Sequence, residues 1–269
     1  MEKFWEVYAL KYAERDDRVR GESFIFDSDH LSKHPMDYFV WVLKSEDDII
    51  LVDTGFDVDE AKRRLRPIVR APQKALSALN LEPKDIKKTI ITHLHYDHAG
   101  SLRDFPNTIF YLQSAELGYA TGPCMCEDTL RMAYTGEHIC DMIQALYSGR
   151  VVFADGNMQV SPGVTLHCVG GHSRGLQVVR VKTKNGWLCL ASDATHYYEN
   201  FLTRKPFPIV VDVENMLKGF DIIQDLASNV SLIIPGHDPL VTKLFPKDGH
   251  SGFLWRLDVG TIGNLPKWE

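Results

Sequence analysis

Short apolar runs separated by polar turns occupy most of the chain. Five of them read as strands: Phe39-Val40-Trp41-Val42-Leu43, Asp48-Ile49-Ile50-Leu51-Val52, Thr108-Ile109-Phe110-Tyr111, Val164-Thr165-Leu166-His167-Cys168 and Gln177-Val178-Val179-Arg180-Val181. Each is rich in β-branched or aromatic residues and is bounded by Gly, Pro or charged turns, the composition that suits a pleated surface. Helical patterns are expected from Asp57 to Arg70, Pro72 to Leu79, Ser114 to Gly118 and Val213 to Ala227. Strands followed by helices, repeated twice, predict an α/β fold with two sheets sandwiched between helical layers. Between Gly118 and Gly149 the alternation gives way to a largely helical stretch carrying Tyr119, Met125, Met132, Tyr134, Met142 and Tyr147. This insert, 118–149, is a candidate substrate lid or dimer surface, with ordinary packing of Met and Tyr on the sandwich as the simpler alternative.

One segment resists explanation by packing. Thr92-His93-Leu94-His95-Tyr96-Asp97-His98-Ala99-Gly100 places three imidazoles and a carboxylate within six positions, directly after the apolar run Thr89-Ile90-Ile91-Thr92. Strand alternation would carry His93 and His95 to one side and Leu94 to the other. Asp97 and His98 then come from the following turn and fan toward a second point. The spacing therefore predicts ligands for two adjacent metal ions. Isolated histidines such as His30, His34, His167 and His250 carry no such pattern and are expected at the surface or in ordinary hydrogen bonds.

The His-x-His-x-Asp-His pattern resembles that of the metallo-β-lactamase superfamily, and the resemblance extends over most of the chain. Ile49-Ile50-Leu51-Val52-Asp53-Thr54-Gly55 is similar to its strand-to-loop signature, in which the aspartate, here Asp53, supports the metal loop from behind the ligands. Gly170-Gly171-His172-Ser173 is similar to its third histidine motif. Leu188-Cys189-Leu190-Ala191-Ser192-Asp193 resembles the strand that ends in the bridging aspartate, and Leu232-Ile233-Ile234-Pro235-Gly236-His237-Asp238 resembles the last strand-then-histidine motif. Five motifs in order make a strong signal where one would be weak.

The resemblance implies an αββα metallo-β-lactamase-type sandwich. It also implies a dinuclear centre in which His93, His95 and His172 hold one ion, Asp97, His98 and His237 the other, and Asp193 spans both. Two divalent metal ions are the expected cofactors, zinc first, with iron, manganese and cobalt also suited to nitrogen and oxygen ligands. Coordination lowers the pKa of water from about 15.7 to roughly 7, so such a site makes hydroxide at neutral pH without a Ser or Cys nucleophile. Asp97, with a free carboxylate oxygen, is expected to orient that nucleophile or pass its proton to the leaving group.

Asp193-Ala194-Thr195-His196-Tyr197-Tyr198-Glu199-Asn200-Phe201 resembles the superfamily branch that contains N-acyl homoserine lactonases and related small-lactone hydrolases. That branch carries a tyrosine three residues past the bridging aspartate; here the position is His196, with Tyr197 next. His196 is accordingly a candidate catalytic group able to hydrogen-bond a substrate heteroatom. Tyr38 and Phe39, with Tyr197, are candidate pocket walls. The expected activity is metal-dependent hydrolysis of a small electrophile, a lactone foremost. An isothiocyanate, cleaved in a detoxifying role, suits the same nucleophile. An iron-dependent redox protein of the same fold is the alternative from another class; the full His/Asp set and the absence of a flavin-binding region favour the hydrolase.

Composition narrows the partners. The 269 residues are 44% hydrophobic, enough for a sizeable core, and ligands running from His93 to His237 would be split by any domain boundary, so one domain over 1–269 is expected. A net charge of -6 offers no general attraction for nucleic acid, and clusters such as Lys62-Arg63-Arg64 and Lys87-Lys88 read as solvated helix faces. A small-molecule substrate is the expected partner, with no nucleic acid, no membrane and a possible homodimer. No signal-peptide or membrane-spanning run is present, and the five cysteines, Cys124, Cys126, Cys140, Cys168 and Cys189, match no disulfide framework, so a cytoplasmic location is the default. Cys168 and Cys189 lie in apolar runs and are expected to be buried thiols, while Cys124-Met125-Cys126 is too sparse for a further metal site.

Overall fold

The most continuous apolar run of the sequence becomes a strand buried on both faces: in β2 (Met36–Lys44) every residue but the last is buried. The structure, a computed structural model, describes residues 2–268. Around β2 the chain builds β1 (Glu6–Arg15), β3 (Ile49–Val52), β4 (Lys88–Ile90), β5 (Ile109–Gln113), β6 (Val151–Ala154), β7 (Met158–Ser161), β8 (Val164–Cys168), β9 (Gln177–Thr183), β10 (Gly186–Ser192), β11 (Ile233–Pro235) and β12 (Leu254–Arg256). One sheet has the order β12-β1-β2-β3-β4-β5-β6 and the other β11-β10-β9-β8-β7. Pairings from β3 to β6 are parallel, as is β10 with β11; the rest are antiparallel.

Helices cover both sheets. Pro72–Ala75 packs on β1, Ser114–Ala120 on β5, Gly136–Tyr147 on β6 and Val213–Leu226 on β10. The result is the αββα sandwich expected, with Trp41, Phe110, Leu190 and Ile234 among the fully buried side chains of its core. Parallel strands make the connections after β3, β4 and β10 leave from the same end of the sandwich, which is where the motifs gather.

One helix boundary and one strand differ from the sequence reading for local reasons. The helix expected from Asp57 to Arg70 covers only Val58–Arg64. Asp57 caps its start by accepting from the Glu60 amide at 2.8 Å, but Leu65 takes a left-handed conformation, φ 54°, and Arg66 precedes Pro67, which disfavours helix there. β1, ten residues long, was not anticipated because Glu6, Lys11, Glu14 and Arg15 interrupt its apolar face. Of the two thiols expected to be buried, Cys189 is, while Cys168 is only half-buried at the end of β8. Among the described residues no helix is long and apolar enough to cross a membrane.

Removing the Leu190 side chain should cost about 2–5 kcal/mol of unfolding free energy, because the packed interior of β10 cannot collapse around the cavity. Tyr147→Ala, at a residue 88% exposed on the insert, should change stability by less than about 0.5 kcal/mol. Urea titration of both variants checks the pair, and equal effects would contradict this placement of the core.

Candidate metal centre

The site is assembled from strand ends of both sheets. β3 delivers Asp53, the loop after β4 delivers His93 to His98, β10 ends one residue before Asp193, and β11 two residues before His237. His172 arrives on the loop between β8 and β9, where Gly170 and Gly171 have φ of 69° and 86°. A side chain at Gly171 would place its Cβ 2.6 Å from the Met216 amide nitrogen, so the turn admits only glycine while the helix above it stays in place. The alternation expected to orient His93 and His95 does not apply, since β4 stops at Ile90. The two rings converge instead because the loop between them is tied down at Leu94, whose amide donates to Glu116 Oε1 at 2.9 Å.

All seven expected ligands are buried and meet in one cluster. His93 Nε2 lies 3.0 Å from His95 Nδ1 and 3.2 Å from His172 Nε2. Asp193 divides its carboxylate: Oδ2 is 3.2 Å from His172 Nε2 and 3.8 Å from His93 Nε2, whereas Oδ1 is 3.1 Å from His237 Nε2 and 3.3 Å from His98 Nε2. Asp97 Oδ2 completes the second set, 3.7 Å from His237 Nε2 and 3.8 Å from His98 Nε2. Ligating atoms of His93, His95 and His172 all lie within 4.8 Å of one another, as do those of Asp97, His98 and His237. None of His30, His34, His167 or His250 belongs to these groups.

The far side of each ring explains its orientation. His172 Nδ1 donates to the Ile209 carbonyl at 2.7 Å and His237 Nδ1 to the Asp37 carbonyl at 2.9 Å, which leaves each Nε2 lone pair aimed at the cluster. His98 Nδ1 meets Asp53 Oδ2 at 2.7 Å. Asp53, fully buried with a φ of 61°, also accepts from the Thr92 amide at 2.7 Å and the Thr92 hydroxyl at 2.8 Å. It therefore holds the start and the end of the histidine loop from behind.

Glu116 does the same for the other half, and its role was missed in the sequence. Its Oε1 accepts from the Leu94 amide and the Tyr134 hydroxyl at 3.1 Å, its Oε2 from the Ser173 hydroxyl at 2.7 Å and the Gly175 amide at 2.9 Å. One carboxylate thus fastens the His93–His95 loop to the His172 loop. A Glu two residues into a helix just after a strand carries no local mark of such a function.

Charge and burial favour cations here. Burial, reinforced by neighbouring imidazoles, holds His93 and His95 well below the usual histidine range, so both are neutral, the ligand form. Burial raises Asp53 against the opposing pull of His98 and Thr92. Burial alone would lower His98, but Asp193, Asp97 and Asp53 outweigh it and raise the imidazole; burial alone would raise Asp193, but the histidines, led by His237, outweigh it and hold the carboxylate well below the usual range. His98 Nε2 and Asp193 Oδ1 are buried without a conventional hydrogen bond, although 3.3 Å apart. Imidazole nitrogens and carboxylate oxygens crowded in this way form a donor set that fits two borderline divalent ions, with Asp193 reaching both.

A cavity of about 350 Å³ opens onto the cluster through His95, Asp97, His172, Asp193 and His237. Tyr38 lines it, its hydroxyl 3.5 Å from that of Tyr96. The insert contributes Met132 and Ala133. His196 also lines it, but its ring is stacked 3.6 Å from Phe207 and its Nε2 lies 3.0 Å from Asp193 Oδ2, so its contact is with the bridging carboxylate. Burial pushes His196 down to about 3. Phe39 and Tyr197 do not line this cavity. Alternation along β2 turns Met36 and Tyr38 toward it and Phe39 toward Trp41, 6.4 Å away, in the core. Tyr197 begins a short helix and points away, packing on His34 at 4.2 Å and donating to the Pro35 carbonyl at 3.2 Å.

Fold and site together define a metal-dependent hydrolase. The model of the metallo-beta-lactamase superfamily matches residues 35–242, and the chain belongs to that superfamily. An N-acyl homoserine lactonase of Bacillus cereus is 30% identical over 217 residues, which span 74% of this chain and 81% of the relative. The crystal structure of a quorum-quenching N-acyl homoserine lactone lactonase is 26% identical with a TM-score of 0.73, covering 90% of this chain and 95% of that one. A dizinc quorum-quenching lactonase shares the fold at 17% identity and a TM-score of 0.69, with 95% of each chain covered.

Asp193→Ala should reduce bound metal from about two ions per chain to one or fewer, since both donor sets lose a shared oxygen. Emission spectroscopy on the dialysed variant reads this directly, and full occupancy would refute the assignment. Glu116→Gln leaves one amide nitrogen facing two donors whichever way it turns, so it should cost about 1–3 kcal/mol of stability. It should also weaken metal retention roughly 10–100-fold. Chelator-competition titration and thermal melts check it, and an unchanged metal affinity would deny Glu116 its role.

Proposed function

We propose that this protein opens a small lactone ring by hydrolysis, with zinc in the two sites. The observation that carries the reading is the division of the Asp193 carboxylate between two ligand sets that face one cavity. The lactonase relatives support the ester as substrate. Two cations held there supply Lewis acidity toward a carbonyl oxygen and make water a nucleophile at neutral pH. The carbonyl carbon gains one oxygen and the ring carbon–oxygen bond breaks, leaving a hydroxy acid.

The chain's own residues do the positioning. Asp97, whose carboxylate lines the cavity, takes the proton of the attacking water and passes it to the departing alkoxide. Its backbone is fixed by the Tyr12 hydroxyl, which donates to the Asp97 carbonyl at 2.8 Å. His196 acts through Asp193 as a positioning residue, because its Nε2 is already engaged there. Three residues past Asp193 the chain has His196, and the hydroxyl that faces the substrate is that of Tyr38, which enters from the opposite sheet. Met132 and Ala133 make the insert a wall of the substrate site.

Proton release from a lactone panel by the zinc-loaded protein is the deciding assay. Turnover of simple lactones is expected, with Tyr38→Phe lowering kcat/KM by about 10–100-fold while metal content stays unchanged. Idle lactones alongside turnover of aryl or alkyl isothiocyanates would overturn the ester reading.

A further inference from the structure

The cavity wall away from the ligands carries four arginines: Arg15, Arg18, Arg64 and Arg66. Two are neutralised locally. Arg15 pairs with Asp17 at 2.7 Å and with Glu22 at 3.0 Å, which also accounts for the one rim carboxylate outside the metal cluster. Arg64 pairs with Glu60 and lies 3.9 Å over the Tyr96 ring. The other two have no such partner. Among the described residues no carboxylate comes within 4.0 Å of the Arg18 or Arg66 guanidinium.

Arg18 is 5% exposed, and its contacts are the Glu22 carbonyl at 2.5 Å, Met36 Sδ at 2.8 Å and a long approach to Ser23 Oγ at 3.4 Å. Its Nε is buried and unpartnered, as is Nε of Arg66. The contrast with Arg20, two residues on, is direct: that side chain is met by Asp27 at 2.5 Å and Glu199 at 2.6 Å. A guanidinium withdrawn from water and left without an anion is disfavoured unless something else supplies the charge. That buried group, together with the partly exposed and likewise unpaired Arg66 on the same cavity, in a chain of net charge -6, marks a place where a ligand does so.

We infer that Arg18 and Arg66 form an anion-binding subsite, and that the substrate is a lactone bearing a carboxylate. This rests on the hydrolytic reading of the same cavity. The electrophilic end lies at the ligand cluster, an apolar segment runs past Met36, Tyr38 and Met132, and the carboxylate is held by the two guanidinium groups. Such a substrate differs in charge from a neutral acyl lactone, and the subsite makes that difference the basis of selection.

The test uses the zinc-loaded protein and paired probes differing only in charge. Cyclopentylpropionate and cyclopentylpropionamide, which cannot be hydrolysed as lactones, are titrated by calorimetry. A γ-butyrolactone bearing a propionate and its primary-amide counterpart are assayed for turnover. Wild-type protein should prefer the acid over the amide by about tenfold or more in both formats. Arg66→Met, at a half-exposed position, and Arg18→Lys, which keeps a charge at the buried one, test the assignment. Loss of most of the preference in at least one of them supports the subsite. Equal binding of acid and amide by wild type overturns it, and so does a preference that survives in both variants, because the ligand cluster would then be reading the carboxylate. Calorimetric preference without turnover of either lactone would remove the lactone reading and leave the subsite standing; turnover of both lactones with no preference would do the reverse.

Discussion

The Thr92 hydroxyl is the point at which both sheets and the ligand cluster are joined. It donates to Asp53 Oδ2 and, having spent its one proton, accepts from Ser192 Oγ at 2.9 Å. Asp53 follows β3 in the first sheet and Ser192 ends β10 in the second. The Thr92 carbonyl meanwhile accepts from the amide of Gln177, the first residue of β9, at 3.0 Å, and the Gln177 side chain donates to the Ile91 carbonyl at 2.8 Å. These groups are all buried, where an unmade bond is costly and a complete network fixes a single arrangement. The spacing between the sheets at this end, and with it the approach of Asp193 to the histidine loop, depends on that network.

Positions on both sides of the joint are conformationally strained. Asp53 and Ser192 have φ of 61° and 44°, unusual for residues with side chains and each adjacent to the cluster. The strain turns the chain sharply at the ends of β3 and β10, so that Asp53 reaches beneath His98 and Asp193 is delivered over the histidines. Gly236 leaves room for this: a Cβ there would stand 2.5 Å from Asp193 Oδ1. The arrangement gathers Asp53, Asp97 and Asp193 around the histidines, and divalent cations held there would replace the proton that those carboxylates otherwise draw to His98.

The candidate ligands were legible in the sequence because ligation needs particular residue types at short spacing. His93, His95, Asp97 and His98 identify themselves within six positions, and His172, Asp193 and His237 follow once the resemblance supplies an order. The strands were legible for a similar reason: β2 and β10 are apolar enough to declare their burial. What stayed hidden arises from long-range contacts. Glu116 acts on residues 22, 57 and 59 positions away in the chain, and β1 looks too charged until Lys11 is seen to pair with Asp37 on the neighbouring strand at 2.7 Å. Phe39 and Tyr197 were misplaced because adjacency to a pocket residue does not survive strand alternation or a turn into a helix. Lys62-Arg63-Arg64 reads as a solvated face, yet Arg64 folds back onto Tyr96 and Glu60.

The same distinction separates reaction from selection in this fold. The candidate ligands come largely from the ends of β4, β10 and β11, positions fixed by the two sheets. The cavity wall away from the ligands comes from the segment after β1, the chain beyond the Val58–Arg64 helix, and the insert. These segments pack on the sandwich without setting its register, so their side chains can differ while the ligand geometry stays intact. A relative that shares the ligands consequently says little about charge at the other end of the cavity. Among the described residues no carboxylate stands beside Arg18, against the two that meet Arg20, and there the physics of burial carries information that a motif does not.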